Sequence, residues 1–260
     1  MDYFFLSDVH MFPEPEEHPG RDIFINFLGS LLLNHDPGQL WILGDLFDFW
    51  FEYRSVIPSG YDRTLSAIRG LSDSGWDVNF MPGNHDFWVA EHFSRATGAL
   101  IHSRDHLVRN FNGRNVLLAH GDGLGPGDTG YKIMKPVLRS GLSRFLFSLI
   151  HPDIATYLAR IFSDTSRRIL RRDLDSIPPG IEKWVKDRFE EDIDIVITGH
   201  THLDSILHMK NGTYVSLGDW LTRYTYCIIR NNSPEPELLS YSDEISAENS
   251  QQEEGVSNDG

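Results

Sequence analysis

Five short segments of the chain carry aspartate, histidine and asparagine side chains directly after apolar runs. They are Asp8-Val9-His10, Gly44-Asp45, Gly83-Asn84-His85-Asp86, His120-Gly121-Asp122 and Gly199-His200-Thr201-His202. A side chain at the end of a buried strand stands on a rigid support and can point into a shared crevice. Together these side chains could hold two divalent cations, which would clamp the attacking and leaving oxygens of a phosphoryl transfer. The segments therefore predict metal-dependent cleavage of a phosphate ester or anhydride.

The residue types in these segments suit a metal centre. The candidate ligands are Asp8, His10, Asp45, Asn84, His120, His200 and His202. Carboxylate oxygen and imidazole nitrogen are the donors expected for Mn, Fe, Zn or Mg. Asp8 and His10 are one residue apart, so an extended backbone would point both the same way, and Asp45 has two oxygens with which to bridge two ions. A single aspartate or histidine at a strand end is more often structural, so the prediction rests on the whole set.

Strands and helices alternate over most of the chain. Apolar runs predict strands over 3–6, 40–43, 77–81, 116–119 and 193–198, and helical spacing of apolar residues predicts helices over 23–33 and 64–74. Residues 213–217 and 225–229 are predicted to close the fold as an antiparallel pair. This order indicates a layered α/β fold whose ligands lie at the carboxyl ends of the strands.

The pattern changes twice, and the changes predict the domain organisation. Residues 131–173 are rich in Leu, Ile, Phe and Arg, and we interpret them as a helical cap inserted into a domain that spans 1–232. A helix over 181–190 would return the chain to the sheet. Residues 233–260 have few apolar side chains and are predicted to form an acidic, disordered tail.

Charge and composition restrict the cellular setting and the partners. The net charge is −15, which disfavours nucleic acid as a partner because phosphate binding usually needs a basic face. One local region is basic, since residues 132–172 contain nine Lys and Arg residues but only two Asp residues. A single cysteine, Cys227, predicts a reducing compartment. With no signal peptide expected and no apolar run of roughly 18 residues, we predict a cytoplasmic protein whose cap attaches peripherally to the inner membrane.

The order of the five motifs resembles that of the calcineurin-like metallophosphoesterases over residues 7–220. This resemblance implies a four-layer αββα sandwich with the inserted cap and a dinuclear site. It also implies roles: Asp8, His10 and His202 for one ion, Asn84, His120 and His200 for the other, and Asp45 as the bridge. The resemblance further implies that the catalytic residues are His85, Asp86 and Asn84. His85 would lie near the leaving oxygen and be held there by Asp86.

Further motifs narrow the resemblance to the UDP-2,3-diacylglucosamine hydrolases. They are GDLFDFW at 44–50, the HGD at 120–122 with Asp128 and Tyr131, the segment 158–167, and LGDW at 217–220. The resemblance implies hydrolysis of a lipid-linked nucleotide sugar to UMP and 2,3-diacylglucosamine 1-phosphate, with Mn as the expected metal. It assigns substrate contacts to Asp128, Tyr131, Arg160, Ser163 and Arg167. This chain has GNHDF where the best-known members have GNRDF, which places it on a divergent branch.

Two alternatives remain open from the residues alone. A different calcineurin-like phosphatase or phosphodiesterase would use the same ligands on another phosphoester or nucleotide diphosphate. A non-catalytic scaffold with the same fold would be expected to have lost ligands, and this chain has all seven. In the cap, a Leu and Phe stripe beside Arg139 and Arg144 could form a groove for acyl chains and phosphate, or could be only the core and solvated face of the cap.

Overall fold

The computed structural model describes residues 1–124, 129–155, 157 and 176–242, with side chains given for all of these except 129–131. The described residues form two β-sheets flanked by helices. Among them, no helix is both long enough and apolar enough to cross a bilayer.

The first sheet has six strands in the order β11-β10-β1-β2-β3-β4. Its strands are β1 (Tyr3–Leu6), β2 (Gln39–Leu43), β3 (Asp77–Met81), β4 (Leu100–Ile101), β10 (Thr225–Ile229) and β11 (Pro236–Ser240). The strands β1 to β4 are parallel, whereas β10 is antiparallel to both β1 and β11. Parallel strands need crossovers, and the helices α1 (Arg21–Asn34), α2 (Asp62–Asp73) and α3 (Glu91–Thr97) provide them.

The second sheet has five strands in the order β5-β6-β7-β9-β8. Its strands are β5 (His106–Phe111), β6 (Arg114–Ala119), β7 (Ile195–Thr198), β8 (Asp204–Met209) and β9 (Gly212–Leu217). The central strands β6, β7 and β9 are parallel to one another. The helix α6 (Pro179–Phe189) lies on the outer face of this sheet and begins with proline in its first turn, where the missing N–H costs nothing.

Alternating side chains build four layers. Phe4 and Leu6 of β1 pack with the helices α1 to α3, whereas Phe5 between them packs into the core shared by the two sheets. In β6, Leu118 faces the other sheet and Leu117 faces α6. The central strands such as β1 and β6 thus bury both faces, which explains why the sequence shows continuous apolar runs there. The predicted four-layer α/β architecture is confirmed.

The described part of the cap includes the helices α4 (Thr129–Leu138) and α5 (Gly141–Ser148) and a further helical segment over 152–155. The Ser140 hydroxyl accepts a hydrogen bond from Ser143 N at 3.1 Å and caps the start of α5. Many large apolar side chains of this region are exposed, namely Ile133, Met134, Val137, Leu142, Phe145, Leu146, Leu149, Ile154 and Tyr157. The cap therefore presents an apolar surface, which a helix pair in a typical monomer would bury.

Two predictions about the end of the chain are wrong. Residues 236–240 are strand β11 rather than the start of a disordered tail, because Leu238 and Leu239 alternate between the two cores. Tyr241 then packs on Phe27 with ring centroids 5.4 Å apart. Residues 213–217 and 225–229 do form strands, but these belong to different sheets rather than to one antiparallel pair. The predicted boundary at 232 thus falls too early, and residues 243–260 lie outside the described residues.

Candidate metal centre

The predicted ligands sit on a strained backbone at the strand ends. In the part of the chain that the structure describes, eight non-glycine residues have positive φ, and five of them are candidate ligands: Asp8 (56°), His10 (50°), Asp45 (53°), His200 (67°) and His202 (57°). Each such conformation costs about 1–3 kcal/mol and persists only where the surrounding structure imposes it. Because the strained residues are mostly candidate ligands, we infer that the loops bring these side chains together at the expense of local backbone energy.

The first group of ligands consists of Asp8, His10 and His202. Asp8 Oδ2 accepts hydrogen bonds from Ser7 Oγ at 2.5 Å and from His200 N at 2.8 Å. Asp8 Oδ1 is buried and has no hydrogen-bond partner among the described residues, although it lies 3.5 Å from His202 Nε2 and 3.8 Å from His10 Nε2. The two Nε2 atoms are themselves 3.3 Å apart. Three donor atoms therefore face one point, which fits a bound cation.

The second group consists of Asp45, His120 and His200, with Asn84 beside them. His120 Nδ1 donates to the backbone carbonyl of Leu43 at 2.8 Å, which leaves Nε2 facing inward. That Nε2 lies 3.0 Å from Asn84 Oδ1 and 3.3 Å from Asp45 Oδ2. These spacings match the edges, about 3.0–3.5 Å long, of a polyhedron whose metal–ligand bonds are about 2.0–2.2 Å.

Asp45 connects the two groups. Its Oδ2 lies 3.3 Å from His120 Nε2 and 3.8 Å from His10 Nε2, one histidine from each group. Its Oδ1 accepts a hydrogen bond from His85 N at 2.9 Å, which fixes the carboxylate. A carboxylate in this position could bridge two ions, which is the role that the sequence predicts for Asp45.

Electrostatics within the site favour positive charge. Burial would raise the pKa of Asp45, but the imidazoles of His120 and His85 outweigh burial and hold that pKa well below its usual value. Burial would likewise lower the pKa of His120, but the Asp45 carboxylate raises it to about 10. Burial, aided by His120, lowers the pKa of His200 to about 4. In the metal-free protein the positive charge of protonated His120 thus offsets the buried carboxylates. A bound divalent cation would replace this charge.

Glycine is required where the loops cross at the centre. A Cβ on Gly83 would collide with the Asp45 carboxylate, and a Cβ on Gly199 would collide with Asp8 and Ser7. These glycines let two loops approach the ligand side chains closely enough to enclose the site.

The Asp86 carboxylate contacts main-chain N–H groups rather than the His85 ring. Its fully buried carboxylate accepts hydrogen bonds from the main-chain N–H groups of Asp45, Leu46, Phe47 and Gly83. Burial, followed by the charge of Asp45, raises its pKa to about 7 even though amide donors favour the charged form. Asp86 therefore joins the loops after β2 and β3, and the prediction that it holds the His85 ring is wrong.

His85 is instead held by the backbone of Asp48. The His85 Nδ1 donates to the Asp48 carbonyl at 3.0 Å, and Nε2 lies 4.0 Å from Asp45 Oδ2. The ring stands edge-on to His10, with centroids 4.8 Å apart. His85 therefore reaches the edge of the centre with Nε2 directed inward, where a proton donor for a leaving oxygen would be needed.

Several supporting residues were not predicted. Asp48 Oδ1 lies 3.9 Å from His10 Nδ1, and Asp219 Oδ2 lies 3.5 Å from His202 Nδ1, so each carboxylate faces the outer nitrogen of a ligand histidine. Asp219 is fixed in turn by the N–H groups of Leu221 and Thr222 at 2.9 and 2.7 Å. Their positions in the sequence were the available signal. Asp48 follows Asp45 by three residues, and Asp219 follows the end of β9 by two residues.

Ion pairs attach the cap to the second ligand group. Lys135 Nζ lies 2.9 Å from Asp122 Oδ2 and 3.0 Å from Asp105 Oδ1, and Arg139 lies 2.7 Å from Asp105 Oδ1. Arg139 also donates to the carbonyl of Gly83 at 3.3 Å. The cationic side chains of Lys135 in α4 and of Arg139 directly after it thus stand beside the loops that carry Asn84 and His120. Of the predicted substrate contacts, Asp128, Arg160, Ser163 and Arg167 lie outside the described residues, and Tyr131 lies in α4 with no described side chain.

Comparison with known proteins defines the family. The calcineurin-like phosphoesterase model matches residues 1–215, so the chain belongs to the calcineurin-like phosphoesterase family. This membership and the clustered ligands support hydrolysis that depends on divalent metal ions.

The chain is also similar to several curated hydrolases. The UDP-2,3-diacylglucosamine hydrolase of Porphyromonas gingivalis (strain ATCC BAA-308 / W83) is 33% identical over 246 residues, covering 86% of this chain and 92% of that protein. The enzyme of the same name from Pseudomonas fluorescens (strain SBW25) is 34% identical over 228 residues, covering 83% and 86%. The Haemophilus influenzae (strain ATCC 51907 / DSM 11121 / KW20 / Rd) enzyme of that name is 28% identical over 236 residues, covering 89% and 96%. Among solved structures, a phosphoesterase from E. coli, Yfce, aligns with a TM-score of 0.46 and 14% identity over 93% of this chain and 100% of that one.

Proposed function

We propose that this protein hydrolyses the pyrophosphate bond of UDP-2,3-diacylglucosamine to UMP and 2,3-diacylglucosamine 1-phosphate. The observation that carries the proposal is the convergence of all seven candidate ligands on one bridged site, within a chain that is about a third identical to hydrolases of that name. Two divalent cations, expected to be Mn, would occupy the two ligand groups. When bound, they would supply charge stabilisation and activation of the attacking water.

The side chains of this protein would perform the remaining tasks. Asp45 would fix the separation of the two ion positions, because one of its oxygens faces both groups. His85 would direct Nε2 toward the centre and could there transfer a proton to the leaving oxygen, since Nδ1 already donates to the Asp48 carbonyl. Asp128, Tyr131, Arg160, Ser163 and Arg167 would contact the glucosamine phosphate.

The cap would bring the protein to its lipid substrate. The exposed apolar side chains of α4 and α5 are accompanied by Lys132 and by the exposed Arg144, a combination that binds anionic lipid surfaces. We propose peripheral attachment to the inner face of the cytoplasmic membrane, with acyl chains passing along this surface. The protein would thus work in the cytoplasm at the membrane and would not bind nucleic acid.

The reaction is tested by mass spectrometry of products after the Mn-loaded protein is incubated with UDP-2,3-diacylglucosamine. Release of UMP and 2,3-diacylglucosamine 1-phosphate is expected, and the Asp45→Asn variant should lose about 100-fold or more of this rate because the bridging charge is gone. Substrate that stays intact while an aryl phosphodiester is cleaved would overturn the substrate assignment and leave the metal chemistry standing.

A further inference from the structure

A cavity of about 720 Å³ lies beside the first ligand group. Its walls come from the segment 12–16 after β1, from the segment 48–61 before α2, and from the cap residues Pro152, Asp153 and Tyr157. It reaches Asp48, whose carboxylate is 3.9 Å from His10 Nδ1. The volume is within the range of small-molecule sites, and Asp48 brings its wall next to His10 of the metal centre, so a substrate part held here would lie close to the reacting phosphate.

The lining of the cavity combines aromatic rings with carboxylates. The rings are those of Phe12, Phe49, Phe51, Tyr53, Tyr61 and Tyr157, and the carboxylates are those of Glu14, Glu16, Asp48 and Asp153. No Lys or Arg side chain is among the lining residues of the described chain. Carboxylates repel a phosphate and oppose burial beside a hydrocarbon chain. They do accept hydrogen bonds from ribose hydroxyls, and aromatic rings stack on nucleobases.

Tyr53 supplies an independent sign of a ligand. Its hydroxyl is buried and has no hydrogen-bond partner among the described residues, while its ring is held against Phe51 with centroids 4.6 Å apart. An unsatisfied buried hydroxyl is costly, and a polar ligand that bonds to it removes the cost. A nucleoside carries such groups, whereas an acyl chain carries none.

The other parts of the substrate find better partners elsewhere. Lys135 and Arg139 stand beside the second ligand group, where they suit an anionic sugar phosphate. The apolar side chains of α5, among them Leu142 and Leu149, are exposed and suit acyl chains. We infer that the acidic, aromatic cavity beside His10 binds the nucleoside half of the substrate, with uracil stacked on its rings and the ribose hydroxyls on its carboxylates. This inference rests on the proposed function for the identity of the nucleotide.

The experiment measures inhibition of the full-length, Mn-loaded protein as it hydrolyses bis(4-nitrophenyl) phosphate, a reaction that needs no natural substrate. The inhibitors are UMP, inorganic phosphate and 2,3-diacylglucosamine 1-phosphate. Tyr53→Phe should raise the Ki of UMP relative to that of phosphate by about 2- to 12-fold, the range of one hydrogen bond. Ser59→Trp, at an exposed position of the lining, should raise the same ratio further by filling the cavity. Tyr3→Phe, at the start of β1 where the ring packs on Phe111 and does not line the cavity, is the matched control and should change nothing.

Saturation-transfer NMR on the uracil protons of UMP provides a second readout that does not depend on turnover. Loss of transfer in Ser59→Trp with retention in Tyr3→Phe would support the cavity as the nucleoside site. An unchanged ratio of Ki values in both cavity variants would overturn the inference, as would a rise confined to 2,3-diacylglucosamine 1-phosphate, which would place an acyl chain there. If the ratio rises although UDP-2,3-diacylglucosamine is not cleaved, the proposed function fails and the nucleotide site stands.

Discussion

At the scale of single residues, the centre depends on how each ligand side chain is held. Asp8 uses one oxygen for Ser7 and the amide of His200 and leaves the other for a cation. His120 gives its outer proton to the Leu43 carbonyl and so directs its other nitrogen inward. Because backbone groups fix these side chains, an ion would meet ligands that are already oriented, and little binding energy would be lost to ordering them.

The proton on His120 leads to a prediction for metal binding. Because its pKa is raised to about 10 by Asp45, the metal-free site holds that proton at neutral pH, and an ion must displace it. The apparent Mn affinity should therefore rise by about tenfold per pH unit between pH 6 and 9 and weaken as the pH falls.

Titration calorimetry in buffers of different ionisation enthalpy measures the released proton directly. The wild-type protein and a His208→Gln control, whose ring is bonded to Thr213 at 3.2 Å, should release about one proton per pair of ions from this source. His120→Gln should lose that proton. Affinity that does not change with pH would contradict a protonated His120 in the metal-free site.

At the scale of strands and helices, the sequence is most informative where both faces of a strand are buried. Continuous apolar runs identify β1, β2, β3, β6 and β7, and the polar residues after them identify the ligands. The sequence could not predict which sheet β9 and β10 would each join. Nearly all residues of both strands are buried, and sequence order does not distinguish the two sheets. Asp219 and Asp48 were missed since their importance lies in contacts with His202 and His10 across the fold.

The strand β11 was missed because its environment hides it. Its segment begins with proline among acidic residues, a composition typical of disordered chains, and its two leucines are adjacent rather than periodic. Pairing with β10 gives Leu238 and Leu239 a separate core each. Tertiary contacts therefore make this segment a strand, although its local sequence predicts no regular secondary structure.

Two truncations test the contribution of β11. Deleting 236–260 removes the partner of β10 and the burial of Tyr241, and should lower the free energy of unfolding by roughly 3–5 kcal/mol. Deleting only 243–260, which the sequence predicts to be disordered, is the matched control and should leave thermal unfolding unchanged. Thermal unfolding is measured by circular dichroism. Equal melting temperatures for the two truncated proteins would show that β11 does not stabilise the sheet.

At the scale of the whole molecule, charge and apolar surface are separated. The chain has a net charge of −15, yet the cap presents basic residues around exposed apolar side chains. A membrane would therefore meet the cap first and the acidic body would be repelled from it.

The orientation at a membrane is tested with paired charge substitutions. Leu142 on α5 and Leu33 on α1 are 68% and 85% exposed, so glutamate should be tolerated at either position. Leu142→Glu should weaken binding to phosphatidylglycerol vesicles by about tenfold or more, because an apolar side chain of that size contributes about 1.5–3 kcal/mol when buried. Leu33→Glu should bind like the wild type. Equal sedimentation of both variants with vesicles would contradict a cap-first attachment.

The central claim is that five strand ends together form one two-metal site. Anomalous X-ray scattering from Mn-loaded crystals, recorded on both sides of the Mn absorption edge, measures it most directly. We expect two peaks, one bounded by Asp8, His10 and His202, the other by Asn84, His120 and His200, with Asp45 between them. A single peak, or peaks away from Asp45, would contradict the two-metal centre, whatever the activity of the protein.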